Sequence, residues 1–273
     1  MKLVTFSTTD GRLRPGALSG DSVLDLSFAY PDTLAVVAAG LKAAPHAPAF
    51  PLADVRLHTP IAHPPRVFAI GLNYRDHAIE SKMALPTTPV VFFKLQTAII
   101  GPGDAIVLPR NSTQPDYEAE FAFVIGKGGY RIPASEWRSH VYGYTIVNDV
   151  SARDVQLATS QWSMGKSFPT FCPIGPAIVT ADEIPDPHQL AISLTIDGET
   201  LQNSNTRELI FKIPGLIEYL SSITPLFPGD IVSTGTPSGV GLGRTPKRWL
   251  RPGETVTITV EGLGQLTNPV VAE

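Results

Sequence analysis

The sequence predicts an α+β fold: a strand-rich mixed β-sandwich roll preceded by a small N-terminal α+β module. Three observations lead there. Short apolar runs bounded by turn residues recur from Arg66 to the C-terminus. Helical periodicity is confined to a few short stretches. Turns of the type Pro-Gly-Asp or Pro-Gly-Glu lead into strands at Pro102-Gly103-Asp104, Pro228-Gly229-Asp230 and Pro252-Gly253-Glu254. A doubly wound parallel sheet would need strands alternating with longer helices.

Along the chain, Lys2–Ser7, Arg12–Leu18 and Ser22–Leu26 are expected strands, and Thr33–Ala44 an expected helix with Leu34, Val37, Ala38 and Leu41 on one face. The Pro/Ala stretch 43–51 reads as a linker, which places a domain boundary between Val55 and Pro65: a module at 1–60 and a main domain at 61–273. Further strands are expected at Val67–Gly71, Val90–Lys94, Ala105–Leu108, Tyr117–Ile125, Val141–Val150, Leu190–Ile196, Ile231–Thr234 and Thr255–Glu261. Asp197-Gly198 signals a type I′ hairpin. Helices are expected at Tyr74–Lys82, Ala152–Gln161 and Pro214–Ile223, the second started by Ser151 with Asp154 three residues on.

Composition excludes several functions. Lys+Arg 21 against Asp+Glu 25 gives a net charge of −4, which offers no general grip on nucleic acid or anionic lipid. The longest stretch without Asp, Glu, Lys or Arg is Ser167–Ala181; its 15 residues fall short of a membrane span and include three prolines. No signal-peptide pattern opens the chain, so a cytoplasmic location is expected. The single Cys172 excludes an internal disulfide and reads as a buried small hydrophobe.

The sharpest local feature is Asp116-Tyr117-Glu118-Ala119-Glu120-Phe121-Ala122-Phe123-Val124-Ile125. On a strand, Tyr117, Ala119, Phe121, Phe123 and Ile125 share one apolar face; Glu118 and Glu120 share the other with Ala122 and Val124. A face that turns apolar puts the two carboxylates at the mouth of something buried. Paired buried carboxylates need a cation between them, and oxygen ligands suit Mg²⁺, Mn²⁺ or Ca²⁺. On spacing alone, an exposed acidic edge explains the pair as well. Asp149 ends an apolar run before a helix start, as a site residue or a turn former would. His77 and Glu80 lie on one helix face, either as a general-base pair or as a surface pair. The Gly-rich stretch Thr234–Gly243 lacks P-loop and dinucleotide spacing; a loop that binds a carboxylate through backbone N–H groups and the Thr236 hydroxyl is the functional reading.

Taken together and in order, IGLNYRDHAIE (70–80), VVFFK (90–94), IIGPGDAI (99–106), DYEAEFAFVIGK (116–127), GYTIVNDVSARDVQ (143–156), GKSFPTFCPIGP (165–176), STGTPSGVG (233–241) and LRPGETVTITVEGLGQLTNPV (250–270) resemble the fumarylacetoacetate hydrolase family. The resemblance implies Glu118, Glu120 and Asp149 as metal ligands, with Mg²⁺ or Mn²⁺ as cofactor and Ca²⁺ admissible. It implies His77 as a lid-helix base, Glu80 as its partner and Lys166 as an active-site cation. Arg153, Gln156 and Thr236 match positions lining the substrate pocket, and Tyr74 is counted with them. Pro169 and Leu95 depart from the family pattern near the pocket loops.

The activity implied is metal-dependent hydrolysis of a C–C bond in 2,4-diketo acids of the acylpyruvate or fumarylpyruvate kind, as in aromatic catabolism. Alternatives on the same site are an oxaloacetate-type decarboxylase, a lyase or a dienoic acid isomerase; a non-catalytic small-acid binder is the alternative of another class. A small-molecule keto-acid substrate and a homodimer are the expected partners, with Phe92, Phe93, Trp162 and Phe168 as interface material. The short His77 segment is expected to be a mobile lid.

Overall fold

A computed structural model describes all 273 residues. The strands form a large sheet and a five-stranded one, packed face to face. The main path of the large sheet runs, in hydrogen-bonded order, Ala49–Pro51, Ser22–Asp25, Arg14–Ser19, Lys2–Ser7, Cys172–Thr180, Val141–Asn148, Ala119–Ile125, Ile231–Ser233, Val67–Gly71 and Val90–Lys94. The smaller sheet runs Glu199–Asn205, Ala191–Ile196, Thr255–Val260, Gly264–Ala272 and Ile106–Leu108. Mixed pairing is present: Ile231–Ser233 runs parallel to Val67–Gly71, whereas most neighbours are antiparallel. The N-terminal strands continue the large sheet, because Lys2 and Leu3 pair with Val179 and Ile178.

The Ala119–Ile125 strand lies inside this sheet, and all seven of its residues are buried. Its alternation sorts the two cores as the sequence predicts. Tyr117, Ala119, Phe121, Phe123 and Ile125 enter the larger core, with Ile192, Leu194, Val256 and Ile258 of the smaller sheet. Ala122 and Val124 enter a second core with Leu3, Val36, Val37 and Ile178. Glu118 and Glu120 share this second face but stand at its open end. Two apolar faces fix the register firmly, since a slip of one residue would drive both carboxylates into the larger core.

The helices are shorter than the apolar spacing suggested. Thr33–Ala38 ends six residues early, at a helix whose start is capped by Asp32, which accepts from the Ala35 N–H at 2.8 Å. The expected Ala152–Gln161 helix shrinks to Arg153–Gln156. Ser151 does not cap it: its hydroxyl donates to the Asp149 carbonyl at 2.8 Å. Ile213–Ile223 forms nearly as expected. The Asp197-Gly198 hairpin forms with φ +48° and +86°, the left-handed pair a type I′ turn requires.

Candidate active site

Strand ends, a loop and two short helices converge on a cavity of about 360 Å³. The Ala119–Ile125 strand brings Glu120 and, just before its start, Glu118; Asp149 follows directly on Val141–Asn148, and the short helix Arg153–Gln156 brings Arg153 and Gln156. Lys166 enters from the loop before Cys172–Thr180, and His77 and Glu80 from the helix Arg75–Glu80. The strands pair so that the Asp149 N–H donates to the Glu118 carbonyl at 3.0 Å, which ties the third carboxylate to the first.

One carboxylate oxygen from each of Glu118, Glu120 and Asp149 lies within 4.8 Å of the others. All three are buried, so the solvated acidic edge is excluded. The charges around them are unequal. Glu118 meets Arg153 Nη2 at 2.6 Å and the Lys166 ammonium. Asp149 Oδ2 meets Lys166 Nζ at 2.7 Å, and Oδ1 lies 2.6 Å from Lys94 Nζ. Lys94 Nζ also donates to the Val150 carbonyl at 3.1 Å. Glu120 Oε2 accepts from Ser233 Oγ at 2.6 Å and from the Gly235 N–H at 2.9 Å, both neutral donors.

The pKa directions follow. Burial pushes the Glu120 carboxyl up, and the charges of Asp149 and then Glu118 add to this, bringing it to about 8. Burial also acts upward on Glu118, but Arg153 and Lys166 outweigh it and hold that carboxyl far below the usual range. For Lys166, burial acts downward and is overcome by Asp149 and Glu118, so its ammonium sits above its ordinary value. An all-oxygen trio whose member Glu120 has no cationic partner fits a hard divalent cation.

Arg153 is held as a fork. Nε meets Asp116 Oδ2 at 2.8 Å, Nη2 meets Glu118, and Nη1 donates to Gln156 Oε1 at 3.0 Å. Asp116 is itself fixed by the N–H groups of Tyr117, Gly241 and Leu242 at 2.9, 2.7 and 3.0 Å.

His77 Nδ1 lies 3.1 Å from Glu80 Oε2, as the helical spacing predicts. Glu80 Oε1 accepts from the Gly239 N–H at 2.8 Å. Asp76 Oδ2 accepts from Ser204 Oγ at 2.6 Å and, more loosely, from Ser238 Oγ at 3.4 Å. Of the helix side chains only Ala78 is buried, whereas Ile79 is 76% exposed. The segment is therefore docked by polar contacts and hardly by apolar ones.

The Gly-rich loop does bind carboxylates, but they are the protein's own. Gly239 serves Glu80, and Gly241 with Leu242 serves Asp116. Thr236 lines the cavity, yet its hydroxyl donates to the Ala119 carbonyl at 3.0 Å and accepts from Gln202 Nε2 at 2.9 Å. This corrects the expectation of an open carboxylate-binding loop.

Of the other expected site residues, Glu118, Glu120, Asp149, Lys166, His77, Glu80, Arg153 and Gln156 all line the one cavity. Tyr74 does not: it is fully buried behind the wall, where burial and then the charge of Glu120 raise its phenol well above the usual value. Pro169 and Leu95 do not line it either; Pro169 sits on a separate cleft with Phe168 and Thr170, and Leu95 points outward. The sequence reading gave no role to Asp116, Lys94, Ser233 or Gln202. The signal for Lys94 was a charge within an apolar run; Asp116, Ser233 and Gln202 carried none.

Comparison with known proteins agrees with this geometry. Residues 66–271 match the family model for the fumarylacetoacetate (FAA) hydrolase C-terminal domain. The chain is 44% identical over 241 residues to a mitochondrial oxaloacetate tautomerase of Bos taurus, covering 88% of this chain and 76% of that protein. Among solved structures, a fumarylacetoacetate hydrolase from Exiguobacterium antarcticum superposes over 100% of both chains with a TM-score of 0.90 and 35% identity. A maleylpyruvate hydrolase from Sphingobium, solved with manganese(II) and pyruvate, superposes over 100% of this chain and 99% of its own with a TM-score of 0.84 and 30% identity. On the matched model, the identity and the shared fold, the chain belongs to the fumarylacetoacetate hydrolase family.

Proposed function

We propose that this chain is a divalent-metal-dependent enzyme that carries a 2-keto acid through its enolate and, in a 2,4-diketo acid, cleaves the neighbouring C–C bond with water. The observation that supports this reading is the meeting of the carboxylate trio, Lys166 and the His77–Glu80 pair in one cavity. Mg²⁺ or Mn²⁺ held by Glu118, Glu120 and Asp149 would act as a Lewis acid on the 2-keto oxygen.

The rest falls to the chain's own residues. Lys166 places a fixed positive charge beside the trio, where oxyanion charge develops. Gln156 gives its Oε1 to Arg153, which leaves its amide N–H groups for the substrate carboxylate. The contact with Glu80 assigns the proton of His77 to Nδ1 and leaves Nε2 as the base. In hydrolysis, that base takes a proton from water as the water oxygen adds to C4. The C3–C4 bond then breaks, its electron pair passes to C3 as the enolate, and protonation at C3 gives pyruvate beside a carboxylic acid.

A second reading is keto–enol tautomerisation of oxaloacetate, favoured by the name of the Bos taurus relative at 44% identity. The same base would then move a proton at C3, and no water would attack. Metal-loaded protein is assayed with acetylpyruvate and with oxaloacetate, following enol absorbance and pyruvate. Release of pyruvate and acetate in equal amounts supports hydrolysis. Enol conversion of oxaloacetate without bond cleavage supports the second reading, and metal-bound protein that does neither refutes both.

A further inference from the structure

Asp116 is fully buried, yet it does not line the cavity. The main chain sets it beside Arg153. Pro115–Asp116 pairs antiparallel with Ser151–Ala152, and the Arg153 N–H donates to the Gln114 carbonyl at 2.9 Å. The Leu250 N–H donates to the Pro115 carbonyl at 2.8 Å, which ties the same short strand to the segment beyond the Gly-rich loop. None of these bonds uses the Asp116 side chain.

That side chain accepts two hydrogen bonds on each oxygen. Oδ1 takes the Tyr117 N–H at 2.9 Å and the Gly241 N–H at 2.7 Å. Oδ2 takes Arg153 Nε at 2.8 Å and the Leu242 N–H at 3.0 Å. Every partner is a donor, so both atoms must accept, which a carboxylate does and an amide does not. The loop comes in close: a Cβ on Gly241 would meet Asp116 Oδ1 at 2.6 Å and the Arg248 carbonyl oxygen at 1.9 Å.

Two routes lead from Asp116 to the cavity. Through Arg153 it reaches Glu118 by way of Nη2 and Gln156 by way of Nη1. Through Gly241 and Leu242 it reaches the loop whose Val240, Leu242 and Gly243 line the cavity and whose Gly239 N–H holds Glu80. Gly243 passes so near that a Cβ there would meet the Glu80 carboxyl carbon at 2.5 Å. One carboxylate outside the cavity thus meets the support of a trio member on one side and the support of the His77–Glu80 pair on the other.

We infer that Asp116 is a positioning residue that holds Arg153 against Glu118 and seats the Gly-rich loop against Glu80, so that the metal side and the base side keep one fixed geometry. Its effect on turnover rests on the enolate-forming reading above; its effects on metal affinity and amide exchange do not.

The test is a double-mutant cycle of Asp116→Asn and Arg153→Lys. It is read by Mn²⁺ affinity in calorimetry, by amide exchange in residues 75–80 and 239–243, and by kcat and KM on acetylpyruvate and oxaloacetate. Asp116→Asn keeps the shape but turns one acceptor atom into a donor that faces other donors. In the parent background it is expected to weaken Mn²⁺ binding by about 10-fold or more and to raise KM as well as lower kcat. Exchange in both segments should quicken while that of Ala191–Ile196 in the smaller sheet stays parent-like, which a general loss of stability would not do. In the Arg153→Lys background the same change should cost less than about 3-fold in Mn²⁺ affinity, because the fork it serves is already gone. A charge acting only through space would cost as much in either background. Equal losses in the two backgrounds, or parent-like exchange in both segments, overturns the proposal. If Asp116→Asn does not fold, Arg153→Lys decides alone: exchange at Gly241 and Leu242 should quicken, and parent-like exchange there overturns the proposal. Coupled Mn²⁺ affinities with no metal-dependent turnover of either acid support the role of Asp116 and overturn the enolate reading.

Discussion

Glu118 and Glu120 stand two residues apart on one strand, yet only Glu118 is paired with cations. Arg153 and Lys166 hold Glu118, while Glu120 has the Ser233 hydroxyl and the Gly235 N–H. The excess negative charge of the site therefore falls on Glu120. Its carboxyl sits at about 8 in the folded chain against an ordinary 4.5, so the folded state keeps a proton that the unfolded state has released. The stability this contributes is fully present below the unfolded value and is lost as pH rises through the folded one.

The first prediction follows from that relationship. With chelator present, the Tm should fall as pH rises from about 4.5 to 8, and the rise in Tm on adding Mg²⁺ or Mn²⁺ should grow over the same window. Glu120→Gln should abolish the metal-induced shift and flatten the fall. Thermal scans across that window check both; a parent protein whose metal-induced shift is independent of pH contradicts the assignment.

The second concerns the docking of the helix that carries His77. Gly239 has φ +101°, and a Cβ there would meet the Leu201 carbonyl oxygen at 2.1 Å. Its carbonyl also accepts from the Tyr117 hydroxyl at 3.1 Å and Arg244 Nε at 3.2 Å. Gly239→Ala should cost about 1–3 kcal/mol of stability and displace the N–H that holds Glu80. Amide exchange in residues 75–83 should then quicken relative to the parent. Unchanged exchange in that segment would show that Glu80 is anchored by something else.

The third concerns association. Of the four aromatics expected at a dimer interface, Phe92 and Phe168 pack inward, Trp162 lines the cavity, and only Phe93 is largely exposed. The exposed apolar set instead includes Met83, Leu85, Val90, Phe93 and Leu95, on the Val90–Lys94 edge strand or flanking it in sequence. A homodimer that covers this edge is expected, with Phe93→Glu shifting light-scattering mass toward the monomer. A parent protein already monomeric at micromolar concentration would rule it out.

The fourth concerns Arg153. Arg153→Lys keeps the charge but loses the fork that reaches Asp116, Glu118 and Gln156 together. Turnover should fall by about 10- to 100-fold, with KM rising because Gln156 is no longer held. A change in kcat alone, with KM unaltered, would separate Gln156 from carboxylate binding.

Much of this was legible where one residue pattern had one physical meaning. Alternation along Tyr117–Ile125 sorted two cores and put Glu118 and Glu120 on one face, because a strand fully buried on both sides allows no other register. Spacing placed His77 beside Glu80. The strand Cys172–Thr180 was illegible, since Pro173, Gly175 and Pro176 read as breakers. It forms because the pairing with Val141–Asn148 shifts register between Tyr144 and Ile146, opposite Pro176, so no ladder bond is demanded of that proline. Tyr74 was misplaced because a tyrosine beside a site motif looks the same whether it lines the wall or supports it from behind. The loop partners of Glu80 and Asp116 were hidden because backbone N–H groups leave no trace in composition.

The central claim is that this cavity carries a 2-keto acid through its enolate, so that it exchanges a proton at C3. The most direct measurement is hydrogen–deuterium exchange at C3 of 2-oxobutyrate in D2O, followed by NMR, an acid this site can enolise but not cleave. With Mg²⁺ or Mn²⁺ the parent protein should accelerate exchange, and chelator should abolish the effect. His77→Ala should slow exchange by about 10²- to 10⁴-fold while metal affinity, read by calorimetry, stays within a few-fold. Metal-bound parent protein that leaves the C3 exchange rate at its background value would contradict the account.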